Sequence, residues 1–311
     1  MLEIIATGLA FGGALVASGL YSPFLIASQF TLQRWNMVQT FLTATGCSAL
    51  AVHVLQDLGF QVPPPRSYSP AGILGFPLDG NLIGGALLGA GMSLAASCPG
   101  MVFPQVAMGV PSAKTTLAGA IVGGLFWSAL LRPWLFGTGR AATFVFYEVL
   151  LGAIVVTVAG KAVPAPSALQ PIAGGLVIGA AQLVSLLARG SLVGVSTCYE
   201  HVGDWVLYLI EGGKGPRPAT GTLVFSASTM AGALLLVRER PDLAVAPGAL
   251  TIHVAPWKAF WGGFLMAVGS RLGGGCSSGH GISGMGLMSV ASFVSMFATF
   301  AAAIAVSKLS T

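Results

Sequence analysis

Residues 269–286 read GSRLGGGCSSGHGISGMG, and they set eight glycines among serines, one cysteine and one histidine inside an otherwise hydrocarbon-rich chain. Glycine adopts conformations that other residues avoid and is a poor helix former, so a helix entering this stretch is expected to break. The surroundings make the break consequential. Only 7% of the 311 residues are charged and 55% are hydrophobic, and the mean hydropathy is +0.85, whereas a soluble domain carries roughly 25% charged residues. This composition excludes a water-soluble globule and points to an all-α integral membrane protein whose outer surface meets the lipid bilayer.

Apolar runs fall near 2–19, 36–56, 82–97, 113–132, 142–160, 172–188, 220–238, 257–273 and 288–307, which makes nine candidate transmembrane helices. The third and eighth are short against the about 20 residues that a bilayer requires. The first lacks a basic leader and a small-residue cleavage pattern and reads as a retained helix. Two connectors, QVPPPRSYSPAG (61–72) and EGGKGPRPATG (211–221), read as ordinary polar loops. Four others are too apolar and too rich in small residues for water: YSPFLIASQFTL (21–32), SCPGMVFPQVAMGVP (97–111), GSLVGVSTCYEHV (190–202) and the opening stretch. These read as re-entrant segments.

An internal repeat organises the chain. GLAFGGALVAS (8–18) aligns with GLVIGAAQLVS (175–185), and GGALLGAGMSLAASC (84–98) aligns with GGFLMAVGSRLGGGC (262–276). In the second pair Gly84, Gly85, Gly91 and Cys98 fall on Gly262, Gly263, Gly269 and Cys276 without a gap. Each half holds four spans and one extra span separates them, so the second repeat is expected to be inverted. The organisation read from this is a first repeat at 1–141, a connecting helix and loop at 142–171, and a second, inverted repeat at 172–311. In such an arrangement broken helices meet at the bilayer midplane and line a path. Irregular backbone at that depth is tolerated only inside protein or against water. The opening stretch is therefore expected to line an interior site, with SCPG on the opposite wall.

The paired motifs GSRLGGGCSSGHGISG and GAGMSLAASCPG resemble the signatures of the YeeE/YedE sulfur-transport family. That resemblance implies nine membrane helices, with four re-entrant elements meeting at a central waist through which thiosulfate passes by transient hydrogen bonds with cysteine thiols. It also implies a prokaryotic cytoplasmic (inner) membrane and a small soluble sulfur-handling partner. Cys98 and Cys276 match the family's motif cysteines. A third family cysteine, just after the first helix, has no counterpart in YSPFLIASQFTL; the other half instead offers Cys198, and the constant repeat offset sets Thr31 opposite it.

Physical chemistry supports a role for the two motif thiols independently. An anion that must both bind and leave needs weak donors, and a thiol is a weak donor on a small polarisable side chain. Backbone N–H groups at broken helix ends add partial positive charge. The expected pathway set is Cys98, Pro99, Gly100, Cys198, Arg271, Gly275, Cys276, Ser277, Ser278 and His280. Within it, Pro99 and Gly100 are expected to shape the break, and His280 to donate either to the anion or to a loop carbonyl. Arg271 is expected either to face the pathway or to snorkel to the interface. Glu200, His201 and Asp204 are expected to form a polar mouth, and Cys47 lies in a plain span outside the set.

The rival readings are transport of another sulfur or selenium species, or a metal-binding membrane subunit in which Cys198, His201, Cys276 and His280 hold zinc. Against zinc, the repeat pairs Cys276 with Cys98, and the first half has no matching histidine. No nucleotide-binding loop, CxxC pair or nucleic-acid motif is present, so neither an enzyme nor a cofactor is implied. Seven basic residues fall on each side of the nine-span arrangement, which leaves the positive-inside rule silent about orientation.

Overall fold

The computed structural model describes residues 1–132, 171–213, 216–241 and 252–310, and among these every regular element is helical. The elements are α1 (Leu2–Ala17), α2 (Pro23–Phe30), α3 (Asn36–Asp57), α4 (Asp79–Ala95), α5 (Val102–Ala107) and α6 (Ala113–Phe126), the last continued by a π-helical turn at Trp127–Leu131. After the residues outside the description come α7 (Pro171–Arg189), α8 (Thr197–Ile210), α9 (Gly221–Glu239) and α10 (Pro256–Leu272). A π-helical segment, Ser277–Met285, and α11 (Val290–Ser310) complete the fold.

Eight of the nine apolar runs coincide with described helices; the run at 142–160, the boundary between the expected repeats and part of the 211–221 loop lie outside the described residues. Four helical stretches are long and apolar enough to cross a bilayer: Asn36–Asp57, Ala113–Leu131, Gly221–Glu239 and Val290–Leu309. With 17 residues each, α4 and α10 extend only about 25 Å at 1.5 Å per residue. Both stop at a break that carries a cysteine.

The short helices face each other. Gly84 packs on Gly269 and Gly273, and Gly91 packs on Gly262 and Met266, so α4 and α10 run antiparallel. A β-carbon at Gly91 would lie 2.6 Å from both the Gly262 carbonyl oxygen and the Met266 amide nitrogen. Lipid tails are as apolar as leucine, so helices in a membrane are drawn together by close packing, and glycine permits that approach. The neighbouring glycines bind the outer helices: Gly85 abuts Ser295 on α11, and Gly263 abuts Thr116 on α6. On the other flank α1 runs parallel to α9, with Ile4 near Gly221 and Gly12 against Thr229. In the same way α3 runs parallel to α7, with Gly175 against Thr40 and Gly179 against Cys47.

The expected re-entrant segments are short helices or broken turns. The stretches 21–32 and 97–111 hold α2 and α5, and α8 begins inside 190–202 but continues to Ile210. The opening stretch does break, at 273–276, where Gly274 takes φ +79° and a β-carbon would meet Ser69 Oγ at 2.5 Å. Beyond Cys276 it winds again, despite its glycines. The reason is burial: Ser277–Gly284 are all buried, and backbone groups without water must bond within the segment. Its glycines seat it closely, Gly281 against Phe41 and Gly284 against Ser292.

The seam makes a stability prediction. Gly91→Ala and Gly262→Ala are each expected to destabilise the detergent-purified protein by about 1–3 kcal/mol through overpacking. Gly46→Ala, with nothing within 4 Å of the added carbon, is expected to be neutral or to stabilise by up to about 1 kcal/mol. Thermal melting curves of the three variants check this, and equal melting of all three would contradict the seam.

Candidate functional site

Cys98 follows α4, which ends with Ala96 in the left-handed region (φ 47°, ψ 44°), a conformation that is usually left to glycine at a helix end. Ser97 Oγ donates to Gln105 Oε1 at 2.7 Å, and Gln105 Nε2 donates to the Ala96 and Tyr21 carbonyls. The break is thus closed by its own short helix, α5. Cys276 follows α10 in extended conformation. Both thiols are buried. Cys276 Sγ lies 3.2 Å from Ser278 Oγ, and Cys98 lines one small cavity with Ser277 and Ser278.

A cavity of about 30 Å³ lies here, lined by Cys98, Gly100, Met101, Ser277, Ser278 and Ile282 with apolar side chains from α1, α3 and α7. It has room for little more than a water molecule. Of the expected pathway residues, Cys98, Gly100, Ser277 and Ser278 line this cavity, and Cys276 does not. Pro99 lies outside the cavity lining; its carbonyl accepts a 2.7 Å hydrogen bond from Tyr199 Oη, whose ring stacks on Phe103. Gly275 lies at the break beside His280 and Arg66.

His280 is fully occupied. Its Nε2 donates to the Gly273 carbonyl at 2.8 Å, and Nδ1 lies 3.0 Å from Ser292 Oγ. A carbonyl only accepts, so in the neutral ring Nε2 carries the proton and Nδ1 accepts from the serine. Of the two expected roles the loop-carbonyl bond is the one formed, and no ring N–H is left for an anion.

Arg271 does not snorkel. Its Nη1 donates to Glu200 Oε2 at 3.0 Å and its Nη2 to Ser196 Oγ at 2.9 Å. Glu200 is shared with Arg132, which also pairs with Asp204 at 2.9 Å. Glu200 and Asp204 therefore belong to a compact four-charge network, while His201 Nδ1 instead meets Thr222 Oγ1 at 2.7 Å. Ser196 also neighbours Cys276 and so brings the network close to the site. Sequence reading missed Ser196, whose only signal was its place at the start of α8, two residues before Cys198.

Cys198 is buried on the first turn of α8. Thr31 is not its local counterpart. It caps the end of α2, whereas Cys198 opens α8, and matching the two helix starts sets Phe24 opposite Cys198. The constant offset fails because α7 and the linker after it are longer than α1 and its linker. Cys47 lies apart, in an apolar groove between α3 and α7. Among the described residues no three His, Cys, Asp or Glu side chains gather as a metal site.

The family described as sulphur transport matches residues 17–305. This chain belongs to the sulphur transport family. Two relatives named probable transporters are similar to it. One, from Xylella fastidiosa strain Temecula1, is 35% identical over 127 residues, 40% of this chain and 81% of the relative. The other, from strain 9a5c, is 33% identical over 131 residues with the same coverages. The protein is accordingly a sulfur-related integral membrane transport protein and not an enzyme, and its cargo is a small anion handled within the bilayer.

The charge network makes a prediction of its own. Arg271→Met leaves Glu200 paired with Arg132 and is expected to destabilise by about 1.5–3 kcal/mol, the usual cost of losing a hydrogen bond to a charged group. The double variant Arg271→Met/Glu200→Met is expected to melt at a higher temperature than Arg271→Met by itself. Strictly additive losses in thermal melts would contradict a coupled network.

Proposed function

We propose that the protein is a permease that takes up a small sulfur oxyanion, thiosulfate, across the cytoplasmic (inner) membrane through a waist formed by Cys98 and Cys276. The observation that carries this reading is that two cysteines matched by the sequence repeat follow the two short helices, Cys98 lining a small cavity with Ser277 and Ser278, and Cys276 bonding Ser278 at 3.2 Å. Thiols and hydroxyls are neutral donors, suited to an anion that must be held weakly enough to leave. The waist is closed in this conformation, so passage requires local widening. No resident cofactor enters the reading, and a small soluble sulfur-handling partner on the receiving side belongs to it.

The reading includes two inverted repeats, with domain boundaries near 141 and 172, and nine membrane helices with re-entrant elements at the waist. The packing supports the inversion. Exchanging the halves turns the α1–α9 contact into α7–α3 and the α4–α11 contact into α10–α6. Gly84 on Gly269 becomes Gly262 on Gly91. Repeat mates α4 and α10 run antiparallel, as do α1 and α7, where Ser18 at the end of α1 meets Gly174 at the start of α7. The relatives support a half-length unit, since two fifths of this chain match four fifths of theirs.

Uptake of thiosulfate by cells starved of other sulfur tests the function. Cys98→Ala and Cys276→Ala are each expected to abolish uptake at normal membrane levels, Cys198→Ala to reduce it, and Cys47→Ala to leave it unchanged. Normal uptake by both of the first two variants would overturn the assignment of the waist. A hydrogen-bonding Cys276 further requires Cys276→Ser to retain part of the rate; zero rates for serine and alanine alike would point to covalent sulfur chemistry, in which the thiolate is the nucleophile.

Topology is tested by labelling single cysteines placed at Lys114 and at Arg217 with an impermeant reagent. The inverted arrangement expects the two sites to label from opposite sides of the membrane. Labelling of both from one side would break it.

A further inference from the structure

In sequence, Arg66 is one residue of an ordinary polar loop. In the structure that loop turns back over the break and is pinned there. The buried Asp79 carboxylate accepts backbone N–H bonds from Ala71 at 2.6 Å, Ile73 at 2.6 Å and Leu74 at 3.0 Å. Asn81 Oδ1 accepts from the Ser69 amide at 2.9 Å, and Ser289 Oγ donates to the Arg66 carbonyl at 2.9 Å.

So held, the Arg66 side chain points into the broken segment. Nε donates to the Gly279 carbonyl at 2.9 Å and Nη1 to the Gly274 carbonyl at 2.8 Å. A β-carbon added at Gly279 would stand between guanidinium and thiol, 3.1 Å from Arg66 Nη2 and 3.9 Å from Cys276 Sγ. A guanidinium has five N–H donors in a fixed fork, and those of Nη2 have no partner among the described residues. Nor does any carboxylate among the described residues pair with Arg66, whereas Arg271 is paired with Glu200. Carbonyl partners leave a cation its full charge, and the guanidinium fork matches oxyanions in both geometry and charge.

We propose that Arg66 is the anion-capturing residue of the pathway, receiving the oxygen-bearing end of the substrate beneath the 61–78 loop and delivering it to Cys276. This rests on the sulfur-oxyanion reading above. It adds selectivity, since a sulfur species without oxygens cannot present the paired oxygens that the fork binds best.

The test is initial-rate uptake of labelled thiosulfate by cells that express the full chain, with rates normalised to protein in the membrane. Arg66→Gln is expected to raise KM roughly ten-fold or more with the maximal rate within about two-fold, the signature of lost binding rather than lost translocation. Arg66→Lys keeps the charge but cannot bridge two carbonyls as a fork, and its KM is expected within about three-fold of wild type. An unchanged KM in Arg66→Gln overturns the proposal. Equal impairment of the lysine and glutamine variants overturns it as well, because the residue would then act by pinning the carbonyls. If Arg66→Gln fails to reach the membrane, Gly279→Ala decides: its methyl group intrudes between guanidinium and thiol, KM is expected to rise likewise, and an unchanged KM overturns the proposal. Absence of uptake by the wild-type chain would instead overturn the thiosulfate reading on which the inference rests.

Discussion

The fold depends on satisfying the carbonyl groups set free where α10 stops. Lipid offers them nothing, and an unpaired backbone oxygen at that depth costs several kcal/mol. The Gly273 carbonyl accepts from Asn81 Nδ2 at 2.9 Å and from His280 Nε2 at 2.8 Å. The Gly274 and Gly279 carbonyls accept from Arg66. Three separate pieces of chain, the 61–78 loop, the first turn of α4 and the π-helical segment itself, therefore hold one break. Cys276 sits in the middle of it.

The mate break after α4 follows the same logic with different side chains. Gln105 closes it from within α5, and Tyr199 from the other half holds the Pro99 carbonyl. The helix packing and the glycine seam are alike in the two halves, whereas the polar groups around the thiols are not. Arg66, Arg271 and His280 all gather on the Cys276 side.

The legible part of this architecture was local. The run of three glycines at 273–275 announces the break that follows α10, and the ungapped match of 84–98 to 262–276 picks out the glycines along which α4 and α10 pack. What could not be read was long-range. Arg66 bonds residues 208 and 213 positions away, and nothing in QVPPPRSYSPAG distinguishes it from a solvated loop arginine. Glu200 was legible as polar but not as the hub of two arginines. His280 illustrates a different limit: residue type says that it donates, and only geometry says that the acceptor is Gly273. The π-helical winding after Cys276 was hidden because local propensity argues against it and burial on every side overrides that propensity.

The central claim is that thiols from the two halves face each other across a single waist. It is tested most directly by treating a Cys47→Ala/Cys198→Ala protein in membranes with a bifunctional thiol reagent of short reach and mapping the product by peptide mass spectrometry. The account predicts an intramolecular link between the peptides that carry Cys98 and Cys276, formed more slowly when thiosulfate is present. Independent modification of the two thiols without a link, unaffected by thiosulfate, would contradict it.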